Sequence, residues 1–434
     1  MNAESARVNE QMSIFKKTNM SSSDAVAAWA TALFIFSASF SIFVSNFFMY
    51  LAVTAALFSI FGGGRFRRDE IYSIMLIFVA ANIAALFIGG NGLAKISKVK
   101  NVMCFFGFFL AYQFAGGIVD KTRMMFLMLA TNSVLLFTAV IITALGYTDI
   151  VYFQDLANWT HEYSGLFSIT ITYGEFLVMM QCIALAMLLC GCDEFGDPRL
   201  RGAFLAMIAV NMVALLLTFA RGPWLAMALC AIVILASSRF KKLALYAAVF
   251  FMAGLLFIIS PISREVPLLS DLNKRVAMTL QGYSSGREVI YAAGFQMIRD
   301  NPVLGLGIGG VEKNYSAYVN KIPGADEYRK SLVYGHLHNV YLQIWAECGL
   351  FGIVSFLYLL GYTFFRLWPV SFGRAGSSAF PGQMERAFAR GAFMALFAMC
   401  LMGLTEYNFF HNELSRILWF YIGMALAPVD EPVI

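Results

Sequence analysis

The chain has 434 residues, of which 60% are hydrophobic and only 13% charged, with a mean hydropathy of +0.71. A soluble domain of this size carries nearly twice that share of charge, so most of the chain is expected to sit in lipid, and its long continuous apolar runs exclude a β-barrel. The net charge of +5 is too small to argue for nucleic acid; in such a chain basic residues first report which loops face the cytoplasm. The expected class is an all-α polytopic membrane protein.

In chain order, residues 1–24 carry Lys16 and Lys17 and read as a cytoplasmic tail. The first apolar run begins near Ala25 and continues into further spans, unlike a cleavable leader. Residues 25–61 hold no charge and are too long for one crossing, so two short spans are expected to turn near Ser45-Asn46. Arg65, Arg67 and Arg68 mark the next cytoplasmic loop. Spans three to five follow at about 71–88, 102–118 and 124–145; the loop 146–165 is acidic and reads as outside. Lys95, Lys98 and Lys100 run against this assignment, which the other loops support.

Span six, about 166–190, contains Glu175 and Gln181. Span seven ends at Ala220, and Arg221-Gly222-Pro223-Trp224 makes an outer turn, with Pro223 suited to the first position of span eight. Span nine closes a block of helices over 25–260. The long segment 261–335 then falls outside, and spans ten to twelve occupy 336–429 before a cytoplasmic end at 430–434. The expectation is about twelve spans with one large periplasmic loop. No internal repeat is visible.

Inside that loop, Ser285-Gly286-Arg287-Glu288 has capping-box spacing and opens a run with apolar residues at Val289, Ile290, Ala293, Met297 and Ile298, ended by Asn301-Pro302. This reads as an amphipathic helix on the outer membrane face. The following stretch, 303–310, is rich in glycine and suits a close backbone approach.

His336 and His338 stand at the mouth of span ten, and Asn339, Gln343 and Glu347 recur every four residues behind them, one polar stripe on a helix. Such a stripe must face other helices or a wet cavity. The topology brings Arg221, Arg287, His336 and His338 to one outer rim. A guanidinium fork suits a diphosphate, and an imidazole takes a hydroxyl proton near neutral pH. Together they fit glycosyl transfer from a lipid diphosphate to a hydroxyl.

Plainer readings stand beside this one. Either arginine can snorkel to lipid phosphates. His336-Leu337-His338, with His411, is a poor start for a zinc site, which needs further ligands. The stripe can be helix–helix glue, and Glu175 can pair with an arginine or line a cavity. The seven cysteines lie in or beside apolar runs and read as small buried residues, with no disulfide framework. A transporter would carry its charges near the bilayer midplane, whereas these lie at the rim.

His338-Asn339, Leu342-Gln343, Glu347, Gly349 and Gly352, with Arg221, Gly286-Arg287 and the sequence Asn301-Pro302-Val-Leu-Gly-Leu-Gly, resemble the signature of bacterial O-antigen ligases and the related O-antigen polymerases. The resemblance implies an inverting, metal-independent glycosyltransferase of the bacterial inner membrane, working at the periplasmic face without a cofactor. The donor would be a glycan on undecaprenyl diphosphate, the acceptor a lipid A-core hydroxyl for a ligase or another lipid-linked unit for a polymerase. His338 would be the general base, Arg221 and Arg287 would hold the diphosphate, and His336, Asn339, Gln343 and Glu347 would support them. A protein O-oligosaccharyltransferase is a further relative. The single large loop before the histidine motif favours the ligase.

Overall fold

The computed structural model describes residues 22–63, 66–88, 100–115, 119–144, 153–156, 160–167, 169–191, 198–259, 287–322, 325, 335–373 and 382–428. Fourteen α-helices lie among them. The first five are α1 (Ser22–Ser37), α2 (Ile42–Phe61), α3 (Glu70–Phe87), α4 (Phe105–Leu110) and α5 (Lys121–Ala144). Next come α6 (Thr170–Cys190), α7 (Pro198–Leu217), α8 (Arg221–Ala236) and α9 (Lys241–Ile259). The remainder are α10 (Arg287–Asp300), α11 (Gly310–Val319), α12 (Val340–Phe372), α13 (Gln383–Met402) and α14 (Asn412–Leu426). Six of them, α2, α3, α5, α6, α7 and α12, are long and apolar enough to cross a membrane. A short antiparallel hairpin, β1 (Phe153–Leu156) with β2 (Thr160–Tyr163), adds two strands to the helical plan in the loop before α6.

Helix α6 is the centre of the bundle. Its apolar window is 83% buried, against 28–50% for the other five. Packing this tight needs small residues. A Cβ at Gly391 of α13 would lie 2.4 Å from the Ile183 Cα, so the α6–α13 contact is made backbone to backbone. Outward-facing Phe43, Phe47, Phe58 and Phe61 of α2 remain exposed, as lipid-facing side chains would. Cys104, Cys182, Cys230 and Cys348 are buried and none of the described cysteines is bridged; Cys192 lies outside the described residues.

Four expectations change. The first two spans turn at 38–41 and not at Ser45-Asn46, because the Ser41 side chain caps α2 by accepting the Val44 N–H. Pro223 falls at the third position of α8, which Arg221 opens. Span four is irregular: a 3-10 turn (Lys100–Cys104), α4 and a π-turn (Ala111–Ala115) follow one another. Helix α10 buries Ile290, Ala293, Met297 and Ile298 on the protein itself, against Val311, Tyr315 and Val319 of α11 and Leu337, Leu342 and Ala346 at the start of α12. Its amphipathic pattern is that of a small second core, not of a membrane-surface helix. Ser285 and Gly286 of the capping box lie outside the described residues, as do Lys95 and Lys98.

The glycine-rich stretch does make a close approach, and its partner is backbone. Helix α12 is broken at Gly349 (φ 66°, ψ −166°). There the Leu350 N–H donates to the carbonyls of Pro302 and Val303, while Leu306 and Gly307 donate to the carbonyls of Ala346 and Glu347 at 2.8 and 2.9 Å. Ile308 donates to Ala85 of α3. A Cβ on Gly349 would sit 2.1 Å from the Val303 carbonyl oxygen, so only glycine fits. This joint fixes the 301–310 segment to α12 about three turns below the histidines.

Candidate active site

The His336–Asn339 segment bends at His336 and again at His338. Leu337 is completely buried in the second core, and the His336 and His338 ring centroids lie 4.3 Å apart. Asn339 ends the segment by capping α12: its Oδ1 accepts from the Tyr341 and Leu342 N–H groups, and its Nδ2 donates to the Leu404 carbonyl at 2.9 Å. Gln343 Oε1 takes the Leu337 N–H at 2.8 Å. Glu347 is buried one turn further on, where its own carbonyl receives Gly307. The Asn339 and Gln343 side chains of the polar stripe therefore hold the histidine segment.

His338 itself has φ 47°. Phe219, in the turn that launches Arg221, has φ 49°, and these are the two non-glycine residues at positive φ among the described residues. Left-handed backbone costs a non-glycine residue on the order of 1–2 kcal/mol, and such strain gathers where geometry serves function. Here the surrounding bonds hold it in place. The Tyr291 hydroxyl donates to the His338 or Leu404 carbonyl, each 3.2 Å away, and Trp224 Nε1 donates to Leu215 below the Phe219 turn.

One carboxylate organises the charges. Glu406, in the turn after α13, lies 2.5 Å through Oε1 from Arg287 Nη2 and 3.3 Å through Oε2 from His338 Nδ1. A carboxylate only accepts, so a hydrogen bond here places a proton on His338 Nδ1. Guanidinium offers five donors, and among the described residues Glu406 engages one Arg287 nitrogen. Both groups remain reachable, with His338 21% and Arg287 32% exposed against 14% for Glu406.

His336 is different. Burial, followed by the neighbouring His338 and His411, pushes its imidazole down to about 4, so it is neutral at pH 7. It stacks on Tyr407 at 5.4 Å, and Tyr407 stacks in turn on Phe410 at 4.6 Å. His336 is thus tied into the same turn as Glu406. His411, also on that turn, has its Nδ1 3.7 Å from the Glu413 carboxylate. Glu175 is buried in α6 with its Oε1 unbonded.

Arg221 is the first residue of α8 and is exposed. The next residue, Gly222, faces Thr405, whose Oγ1 would lie 3.7 Å from a Cβ built there. The start of α8 therefore stands beside the Glu406 turn. The helix dipole adds a partial positive charge at that point. The structure gathers Arg287, His336, His338 and Asn339 around Glu406 and sets the Arg221 helix end against the same turn. Gln343 and Glu347 stand behind them. Glu406 is absent from the sequence reading. It follows Thr405, where the apolar pattern of span eleven stops, and its one signal was being an acidic residue beside an otherwise cationic rim.

No curated protein matches the chain. Residues 202–357 match the family model described as O-Antigen ligase, a stretch from α7 into α12 that contains Arg221, Arg287 and His338 and stops short of Glu406. Over those residues, which hold the histidine and arginine segments, the chain is similar to the O-antigen ligase superfamily.

Proposed function

We propose that the chain is an O-antigen ligase, which moves a glycan from undecaprenyl diphosphate to a hydroxyl of lipid A-core. In this reading it crosses the bacterial inner membrane about twelve times and holds residues 261–335 and the His338 rim on the periplasmic side. The observation that carries it is the Glu406 carboxylate between an imidazole and a guanidinium. A base for the acceptor stands next to a fork for the leaving diphosphate.

The step balances without a metal. His338 Nε2 takes the proton of the acceptor hydroxyl as its oxygen bonds to the anomeric carbon, and the bond from that carbon to the diphosphate breaks with inversion. Glu406 offsets the charge of the imidazolium. Arg287 and Arg221, with the α8 N-terminus, stabilise the diphosphate as it leaves. His336, Asn339, Gln343 and Glu347 hold the geometry, each through the local contacts of its segment.

Purified protein given undecaprenyl-diphosphate-linked glycan, with and without lipid A-core, tests the proposal. Glycosylated lipid A-core formed only when that acceptor is present supports the ligase. Longer lipid-linked glycan without it would assign a polymerase to the same site. A folded protein that makes neither product would turn attention to protein acceptors or to transport.

A further inference from the structure

The end of the bundle away from His338 contains a second basic site. A cavity of about 230 Å³ opens between the last residues of α6 and α12 and the first turns of α13, lined by Cys190, Gly373, Gln383, Arg386, Ala387 and Arg390. Gln383, Arg386 and Arg390 fall on one face of α13. Each has a different commitment. Gln383 Nε2 donates to the Cys190 carbonyl at 2.9 Å, closing the α6 side. Arg390 donates from Nε and Nη2 to the Ser371 carbonyl and from Nη1 to the Ser237 carbonyl, so it ties the ends of α12 and α8 together. Arg386, one turn earlier, has no side-chain hydrogen bond or ion pair among the described residues.

Among the described residues no carboxylate neutralises the charge here: Arg390 is bonded to the neutral carbonyls of Ser371 and Ser237, and Arg386 has no bonded partner among them. The one acidic residue of the first α13 turn, Glu385, is taken by Lys121. The unsatisfied N–H groups at the start of α13 add to the positive potential, and Gly382 supplies no side-chain cap. Trp368 and Phe365 of α12 are exposed near this end, as apolar side chains beside acyl chains would be.

We propose that this cavity binds a phosphate group, with Arg386 as its principal ligand and Arg390 as a fixed second charge. Basic pockets between spanning helices bind phospholipid headgroups in this way, and a free phosphate offers the same chemistry. The site is separate from glycan transfer and stands whether or not that assignment holds.

The test uses the full-length protein in a neutral detergent, with melting followed as phosphatidylglycerol, phosphatidylcholine or inorganic phosphate is added. Phosphatidylglycerol should raise the melting temperature saturably and phosphatidylcholine should raise it far less. Arg386→Gln should weaken the apparent affinity at least tenfold while leaving the unliganded melting temperature in place. Lys241→Gln, which removes an exposed charge at the start of α9, should change nothing. Saturation by inorganic phosphate at similar concentrations would name the free ion as ligand; its failure beside an effect of the lipid would name the headgroup. Equal binding by Arg386→Gln, or equal weakening by Lys241→Gln, would overturn the proposal, the second by reducing it to diffuse surface charge. So would the absence of any anion-dependent shift in the wild type.

Discussion

Arg366 and Asp69 meet near the end of α12 away from His338, and there both terminal nitrogens of the guanidinium are spent on one carboxylate at 2.8 and 2.9 Å. The same carboxylate caps α3 through the Ile71 N–H and takes the Tyr112 hydroxyl. Arg287 gives Glu406 a single close contact, and Glu406 shares itself with His338. One cluster closes both terminal nitrogens of an arginine on one carboxylate and joins three parts of the fold. The other divides one carboxylate between a guanidinium and an imidazole on a strained backbone. Residue types alone do not separate a clamp from a site; the way the carboxylate is shared does.

The sharpest way to break this comparison is at His338. His338→Ala should cut glycan transfer by about 10²–10⁴-fold, the range of a lost general base, with melting unchanged. His338→Asn, which tolerates left-handed backbone, should be as inactive; recovered activity there would move the role from ring to backbone. Glu406→Gln keeps the shape and removes the charge. A fall in kcat of about 10- to 1000-fold is expected if the carboxylate sets the His338 tautomer. Unaltered kcat would leave Glu406 as a loop contact only.

Arg366→Ala should behave in the opposite sense. Activity per folded molecule should persist, while denaturation should report a loss of about 2–3 kcal/mol from the unpaired, nearly buried Asp69. Arg287→Ala should weaken donor binding without such a loss, and Arg287→Lys should restore it only in part, since an ammonium cannot reproduce the fork. Full restoration would reduce Arg287 to a point charge.

The smallest effect concerns His336. Its folded value of about 4 lies below the ordinary 6.5, so between those values the unfolded chain binds a proton that the folded chain refuses. Stability is full above about 6.5 and falls as pH drops toward 4, by about 1–3 kcal/mol. Melting curves over that interval should be flatter for His336→Gln than for the wild type. Parallel curves would show that His336 does not titrate differently in the two states.

Helices were legible because a spanning helix needs an unbroken apolar run, and among the described residues most expected segments overlap helices, with span four broken into 3-10, α and π turns. The turn at 38–41 was not, because Ser41 and Ser45 are equally plausible caps until one of them is seen to accept the Val44 N–H. Arg221, Arg287 and His338 stood out as polar groups expected at one rim. Their relation did not, since Glu406 is 68 residues from His338 and reaches it by tertiary packing. Positive φ at His338 leaves no trace in sequence either, because even histidine adopts other backbone far more often.

The joint at Gly349 has a consequence for redesign. The loop is seated on α12 by main-chain atoms, Leu350 onto Pro302 and Val303, and Leu306 and Gly307 onto Ala346 and Glu347. Val303 and Leu304 point outward and are about 60% and 63% exposed. Side chains on the outer segment can therefore be exchanged without moving its seat. A segment that keeps the glycines at 305 and 307 would dock in the same register on α12 and leave the histidine segment in place.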